Sequence, residues 1–114
     1  MTTEFDKNEI VPLTEIPELL DIIHATTLGR SIRTWRKTHE DTMTQEQLAH
    51  KLGISKQQLS AYERSEKLPS LQKTIEMATL LNAPLSLWIR YRIQDEMRSV
   101  GLDADVKVVL KNVV

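Results

Sequence analysis

The side chains best suited to binding an anionic partner lie in the middle of this 114-residue sequence. Lys56, Gln57 and Gln58 directly follow Ser55, where the residue pattern predicts the first turn of a helix. A Gln amide can form two hydrogen bonds with the edge of adenine, and a Lys ammonium can donate to O6 and N7 of guanine. Such side chains reach base edges when a helix enters the major groove with its N-terminus. The pattern therefore predicts contacts with double-stranded DNA.

Base contacts are predicted for one face of this helix. The predicted residues are Lys56, Gln57, Gln58, Ser60 and Ala61. The Ala61 side chain cannot form a hydrogen bond, so it can contact only a thymine methyl. The alternative interpretation is that the helix is structural and that its polar residues form a solvated face.

Two short capped helices are expected to position these side chains. Thr44 followed three residues later by Gln47 predicts a capping box, and Gly53 predicts a left-handed residue that ends the first helix. Ser55 is the predicted N-cap of the second helix. Two helices joined by such a short turn form a helix-turn-helix, in which the second helix projects. Gln45 and Ser55 begin the two helices, where side chains and backbone N–H groups can contact phosphates.

Apolar periodicity predicts further helices around this pair. They cover residues 14–25, 28–39 and 71–82, and a long one runs from Pro84 to Gly101. The expected buried stripe of the helix over 71–82 consists of Leu71, Ile75, Ala78 and Leu81. Alternating apolar and polar residues over 104–111 predict a short strand. The predicted fold class is all-α, a five-helix helix-turn-helix domain with an extra N-terminal helix and a short C-terminal strand.

From Leu28 to Trp88 the sequence resembles the Cro/phage-repressor family of helix-turn-helix domains, also called XRE-like. The matching residues are Leu28-Gly29, Ile32-Arg33, Arg36-Lys37, Thr44-Gln45, Leu48-Ala49, Gly53-Ile54-Ser55, Leu59, Glu63 and Pro69-Ser70. The resemblance implies a lambda-repressor-like fold that binds a palindromic operator as a homodimer.

The resemblance also implies roles for single residues. Gln45 is expected to contact a phosphate and to brace the reading helix. Arg64 and Lys67 are expected to lie along the DNA backbone, and Arg36 and Glu63 are expected to form a structural salt bridge.

Two departures from the family pattern concern the backbone near the DNA. The loop between Arg36 and Gln45 is longer than the usual family spacing and carries the acids Glu40 and Asp41. Ser65 occupies a position after the reading helix where the family often has Gly. We therefore expect the fold to match that of the family. The sequence does not determine which bases the reading helix recognises.

Composition excludes several other classes of protein. There are no Cys residues, which excludes disulfides, zinc–thiolate sites and cysteine nucleophiles. His24, His39 and His50 lack metal-ligand spacing, so neither a metal nor a cofactor is expected. No nucleophile elbow or phosphate-cradling Gly loop is present, so the protein is predicted not to be an enzyme. The sequence lacks an apolar run of about 18 residues and a signal peptide, which predicts no membrane partner and a cytoplasmic location.

Charge is distributed unevenly along the chain. Residues 1–27 contain six acids and one Lys, whereas residues 28–69 contain eight Lys or Arg and five acids. Three regions are predicted: an acidic arm and short helix over 1–27, the DNA-binding domain over 28–89, and a dimerisation region over 90–114. Dimerisation contacts are predicted for Val106, Val108 and Leu110, because an isolated strand needs a partner, either its symmetry mate or the N-terminal arm.

The sequence is compatible with two functions. The first is a sequence-specific DNA-binding transcriptional regulator, a repressor that binds a palindromic operator as a homodimer. The second is an antitoxin-like interaction protein that neutralises a small toxin through its N- or C-terminal segment and regulates its own operon.

Overall fold

The computed structural model describes residues 26–38 and 42–111. These ranges contain five α-helices: α1 (Leu28–Thr38), α2 (Gln45–Leu52), α3 (Lys56–Glu63), α4 (Leu71–Leu81) and α5 (Leu85–Ser99). The all-α prediction is confirmed for this part of the chain. The predicted N-terminal helix over 14–25 lies outside the described residues. None of the five helices is long and apolar enough to cross a membrane.

Side-chain caps begin the three central helices. Thr44 Oγ1 accepts from the Gln47 N–H at 3.1 Å, and Gln47 Oε1 accepts from the Thr44 N–H at 2.9 Å, so the predicted capping box is confirmed. Ser55 caps α3 and Ser70 caps α4 in the same way, each through its hydroxyl oxygen. Each such cap contributes about 1 kcal/mol, which matters for helices as short as α2 and α3.

Four helices end at a left-handed residue. Gly53, Ser65, Asn82 and Gly101 follow α2, α3, α4 and α5 with φ of 69°, 59°, 53° and 82°. After α3, the Ser65 N–H donates to the Tyr62 carbonyl and the Glu66 N–H donates to the Ala61 carbonyl. This is the Schellman arrangement, which satisfies the last carbonyls of a helix. The predicted endings at Gly53 and Asn82 are confirmed.

The core lies between α1, α2 and α3 on one side and α4 and α5 on the other. Its buried residues are Leu28, Ile32, Trp35, Leu48, Ala49, Leu52, Leu59, Tyr62, Met77, Ala78, Leu81, Trp88 and Tyr91. The apolar faces of α1, α2 and α3 therefore all contribute to this core.

The predicted stripe of α4 was wrong in two positions. Leu71 and Ile75 are 43% and 37% exposed, and Thr74 and Met77 are buried instead. Thr74 can enter the core because its hydroxyl donates to the Ser70 carbonyl at 2.9 Å, which satisfies the polar group. The helix therefore turns a different face toward α5 than the apolar residues alone predict.

The predicted C-terminal strand was also wrong, because residues 102–111 have no regular secondary structure. A strand needs a partner for its backbone groups, and the described residues contain no other strand that could supply one. A side chain holds this segment instead: Asp105 Oδ1 accepts from Arg90 Nη2 at 3.2 Å. We call residues 102–111 the tail.

Candidate nucleic-acid interface

The first turn of α3 presents the predicted reading residues to solvent. Lys56, Gln57 and Gln58 are all exposed, whereas Ser60 and Ala61 are half-buried. The opposite side of α3 is held in the core by Leu59 and Tyr62. The polar run therefore lies on the outer face of a helix that is anchored along its inner face.

The side chain of Gln58 is oriented along α3. Its Nε2 lies 2.7 Å from the hydroxyl of Tyr62, which is itself buried. The amide keeps its Oε1 and a second N–H for another partner. Gln58 is thus held in one orientation, whereas Gln57 forms no side-chain hydrogen bond with the described residues.

Lys56 already has an ionic partner on α2. Its Nζ lies 3.5 Å from Glu46 Oε1, and the two side chains are 53% and 74% exposed. Exposed pairs of this kind contribute at most about 1 kcal/mol and are screened by salt. The contact is therefore weak enough for Lys56 to exchange it for a nucleic-acid acceptor.

A polar cluster beneath α3 joins three helices. Arg36 Nε and Nη2 donate to Glu63 Oε2 and Oε1 at 2.8 and 2.9 Å. Gln45 Nε2 reaches the same Glu63 Oε1 at 3.2 Å, and Arg36 Nη1 donates to the Met43 carbonyl. The Glu63 side chain is only 2% exposed. We call Arg36, Gln45 and Glu63 the clamp, because they tie α1 and α2 to the end of α3.

The electrostatics of the clamp favour its charged form. The hydrogen bond with Glu63 raises the pKa of the Arg36 guanidinium, and burial opposes this only in part. A bidentate pair of Arg with a carboxylate is strong and directional. The clamp therefore fixes the end of α3 relative to α1 and α2.

The residues predicted to contact phosphates lie at the two ends of α3 and at the start of α2. The Ser55 hydroxyl is engaged as the cap of α3, and Gln45 belongs to the clamp. Arg64 and Lys67 are exposed in the loop after α3, where Arg64 Nη2 lies 3.2 Å from Glu66 Oε2. All four therefore flank the exposed face of α3.

Sequence reasoning missed how α1 is positioned against α3 and α5. A Cβ on Gly29 would collide with the Tyr62 carbonyl and would lie 2.8 Å from the Glu63 carbonyl, so α1 and α3 approach closely. Asp95 of α5 accepts from the Leu28 N–H at 2.9 Å, which caps α1 from 67 residues away. Burial raises the pKa of Asp95, and the hydrogen bond from Leu28 lowers it in part. No local pattern indicates either contact.

Comparison with known proteins agrees with this geometry. A family model described as helix-turn-helix matches residues 32–88, which is half of the chain and includes the clamp and all of α3. The chain belongs to the XRE-like helix-turn-helix family. The family membership that the sequence resemblance implied is thereby confirmed. Members of the XRE-like family are DNA-binding transcription regulators, and the family is not enzymatic, so the helix-turn-helix domain is a DNA-binding module and not an enzyme.

A relative extends the similarity beyond the matched domain. The chain is 36% identical over 81 residues to a Bacillus subtilis (strain 168) protein called an uncharacterized HTH-type transcriptional regulator, YobD. The aligned region covers 71% of this chain and 62% of that protein, so the chain spans less than two thirds of its relative. No solved structure matches the chain significantly.

Proposed function

We propose that this chain is a sequence-specific transcriptional repressor that acts in the cytoplasm and binds a palindromic operator as a homodimer. The observation that carries the proposal is the position of Lys56, Gln57 and Gln58 together on the exposed first turn of α3. The clamp holds this helix from beneath. A rigidly held helix suits base recognition, because less freedom is lost when it binds.

Base recognition is assigned to five residues of α3 and backbone contact to four residues around it. Lys56, Gln57 and Gln58 supply hydrogen bonds, Ser60 adds a hydroxyl, and Ala61 supplies a methyl for thymine. The phosphate contacts come from Gln45, Ser55, Arg64 and Lys67. Base contacts determine the sequence that is bound, whereas phosphate contacts set the register and much of the affinity.

Dimerisation is proposed because one domain of this kind reads few base pairs. Two domains on a palindrome place their reading helices about 34 Å apart, one turn of DNA. The tail is the proposed contact region: Val106 and Val108 are half-buried, and Leu110 is 36% exposed. The Arg90–Asp105 contact holds the tail against α5. The tail therefore offers apolar side chains beside α5.

The test is selection of bound sequences from a randomised pool of about 40 bp at about 150 mM salt, where phosphate contacts alone bind weakly. We expect a palindrome whose half-sites are about one helical turn apart. The Gln57→Ala variant should lose about 1–3 kcal/mol of discrimination at one base pair. Gln72→Ala on α4 is the matched control and should select the wild-type sequence. Recovery of no consensus from the wild type would refute the proposal.

A second candidate function rests on exposed apolar residues near the C-terminus. Val100, Leu102 and Val109 are 69%, 54% and 65% exposed, which leaves apolar surface for a protein partner. In the antitoxin-like proposal, residues 1–27 or 102–114 neutralise a small toxin and DNA binding is autoregulatory. Gln57→Ala with Gln58→Ala should then abolish specific DNA binding and spare inhibition of the protein encoded beside this chain. If deletion of residues 1–13 and replacement of Val109 by Asp both leave that inhibition intact, this candidate is excluded.

A further inference from the structure

Two arginines of α1 have no assigned role in the interface described above. Arg30 and Arg33 are exposed, and their guanidinium groups form no hydrogen bond or ion pair with the described residues. Residues three apart share a helix face, with a rise of about 4.5 Å between them. The two charges therefore lie side by side, and no acidic side chain among residues 26–38 and 42–111 pairs with them.

These arginines border a polar cavity at the junction of α1 with the end of α3. The cavity has a volume of about 320 Å³ and is lined by Thr27, Arg30, Arg33, Glu63, Arg64 and Ser65. Glu63, the only acid among the described residues that line it, is already paired with Arg36. Three arginines thus line one space, and of these only Arg64 has an acidic partner among the described residues, the exposed Glu66. This space fits an anion.

The cavity lies next to the residues that are proposed to contact DNA phosphates. Arg64 and Ser65 belong to the loop after α3, so the cavity is continuous with the proposed phosphate contacts. The close approach of Gly29 to the carbonyls of Tyr62 and Glu63 holds α1 at a constant distance from the end of α3. Arg30 and Arg33 therefore keep their position relative to the reading helix.

We infer that Arg30 and Arg33, together with Arg64, bind backbone phosphates of DNA beside the bases that α3 reads. The inference rests on the proposed function, because it requires α3 to lie in the major groove. A guanidinium binds phosphate oxygens through two parallel hydrogen bonds, and DNA presents a phosphate every 3.4 Å along each strand. Phosphate contacts carry no base information, so these arginines add affinity without changing the selected sequence.

The experiment compares the full-length wild type with Arg30→Gln/Arg33→Gln on a duplex carrying one half-site, so that one protomer binds. The dissociation constant is measured by fluorescence anisotropy from 50 to 200 mM salt. Each lost phosphate contact lowers the slope of log K against log salt by about 0.9, hence by about 1.8 for the pair. The same relation predicts about 30-fold weaker binding at 0.15 M salt, equally on the half-site and on random DNA.

The control variant Lys107→Gln/Lys111→Gln removes the same charge from the tail and should leave the slope within experimental error. Thermal melting of both variants checks that they fold. An unchanged slope, or tighter binding, in Arg30→Gln/Arg33→Gln would overturn the inference and assign the two arginines to an acidic protein surface. Failure of the wild type to distinguish the half-site from random DNA would instead refute the proposed function.

Discussion

Arg36 of α1 and Glu63 of α3 face each other as a bidentate pair, with Nε–Oε2 and Nη2–Oε1 distances of 2.8 and 2.9 Å. Glu63 also accepts from Gln45 of α2, so one buried carboxylate joins three helices. The exposed residues Lys56, Gln57 and Gln58 and the buried Glu63 of the clamp belong to the same short helix. The stability of the clamp and the DNA-binding competence of α3 are therefore coupled.

Breaking this pair should destabilise the whole domain. Arg36→Met leaves the Glu63 carboxylate buried without its cation, and such losses cost roughly 3–5 kcal/mol. The double variant Arg36→Met/Glu63→Leu removes both charges and should be less destabilised than the single variant. Urea denaturation followed by circular dichroism measures both. The control is Arg64→Met, which loses only an exposed pair and should change the unfolding free energy by at most about 1 kcal/mol. Equal losses in Arg36→Met and Arg64→Met would contradict the role of the clamp.

Removing the partner of Lys56 should strengthen DNA binding. Glu46→Gln frees the Lys56 ammonium and removes a negative charge beside the reading face. We expect about two- to fivefold tighter binding, which corresponds to the free energy that an exposed ion pair contributes. Titration of labelled operator DNA at constant salt gives the affinity. Glu76→Gln on α4 removes the same charge away from α3 and serves as the control. Weaker binding of Glu46→Gln would mean that Glu46 itself contributes to recognition.

Ser65 adopts a conformation that glycine adopts more readily. Its φ of 59° is left-handed, which costs an ordinary residue roughly 1–2 kcal/mol. Ser65→Gly removes this cost. The greater conformational freedom of Gly in the unfolded chain offsets part of the resulting gain in stability. A net gain of about 0.5–1 kcal/mol is expected in the free energy of unfolding. Asn82→Gly, at a φ of 53°, should gain less because Asn tolerates this region. Destabilisation of Ser65→Gly would indicate that the Ser65 side chain forms a needed contact.

Asp95 should make stability depend on pH. Burial raises its pKa above the ordinary value of 3.8, so the folded protein binds more protons than the unfolded chain between the two values. The contribution of Asp95 to the free energy of unfolding is therefore fully present below the ordinary pKa. It is lost as pH rises through the raised pKa of the folded protein. Asp95→Asn retains an oxygen that can accept from the Leu28 N–H and removes the titration. We expect the stability of the wild type relative to Asp95→Asn to fall as pH rises from 3 to 7, measured by urea unfolding. A relative stability that rises with pH would contradict the burial argument.

Gln94 of α5 should be replaceable with a gain in stability. Its side chain is buried, and neither Nε2 nor Oε1 has a hydrogen-bond partner within the described part of the chain. An unsatisfied buried polar group costs about 1–3 kcal/mol. Gln94→Met keeps a similar flexible shape without the amide and should raise the thermal midpoint by several degrees. Gln72→Met at an exposed position of α4 is the control, and a lower midpoint for Gln94→Met would reveal a partner for the amide.

Much of the fold follows from local chemistry that the sequence displays. The capping box of Thr44 and Gln47 and the helix end at Gly53 involve residues within a few positions of each other. A cap or a turn satisfies backbone groups of its own neighbours, so its effect does not depend on distant packing. The family pattern added the pairing of Arg36 with Glu63, which spacing alone does not reveal.

Tertiary packing decided the remaining features. The amino-acid sequence by itself determined the caps that begin α2 and α3 and the left-handed residues that end α2 and α4. It did not determine that Thr74 replaces Ile75 in the core or that the tail forms no strand, because both depend on what the rest of the chain supplies as partners. The capping of α1 by Asp95 and the meeting of Arg30 and Arg33 with Arg64 join distant segments. Only the packed arrangement of the helices brings such segments together, since helical periodicity specifies a face and not what covers it.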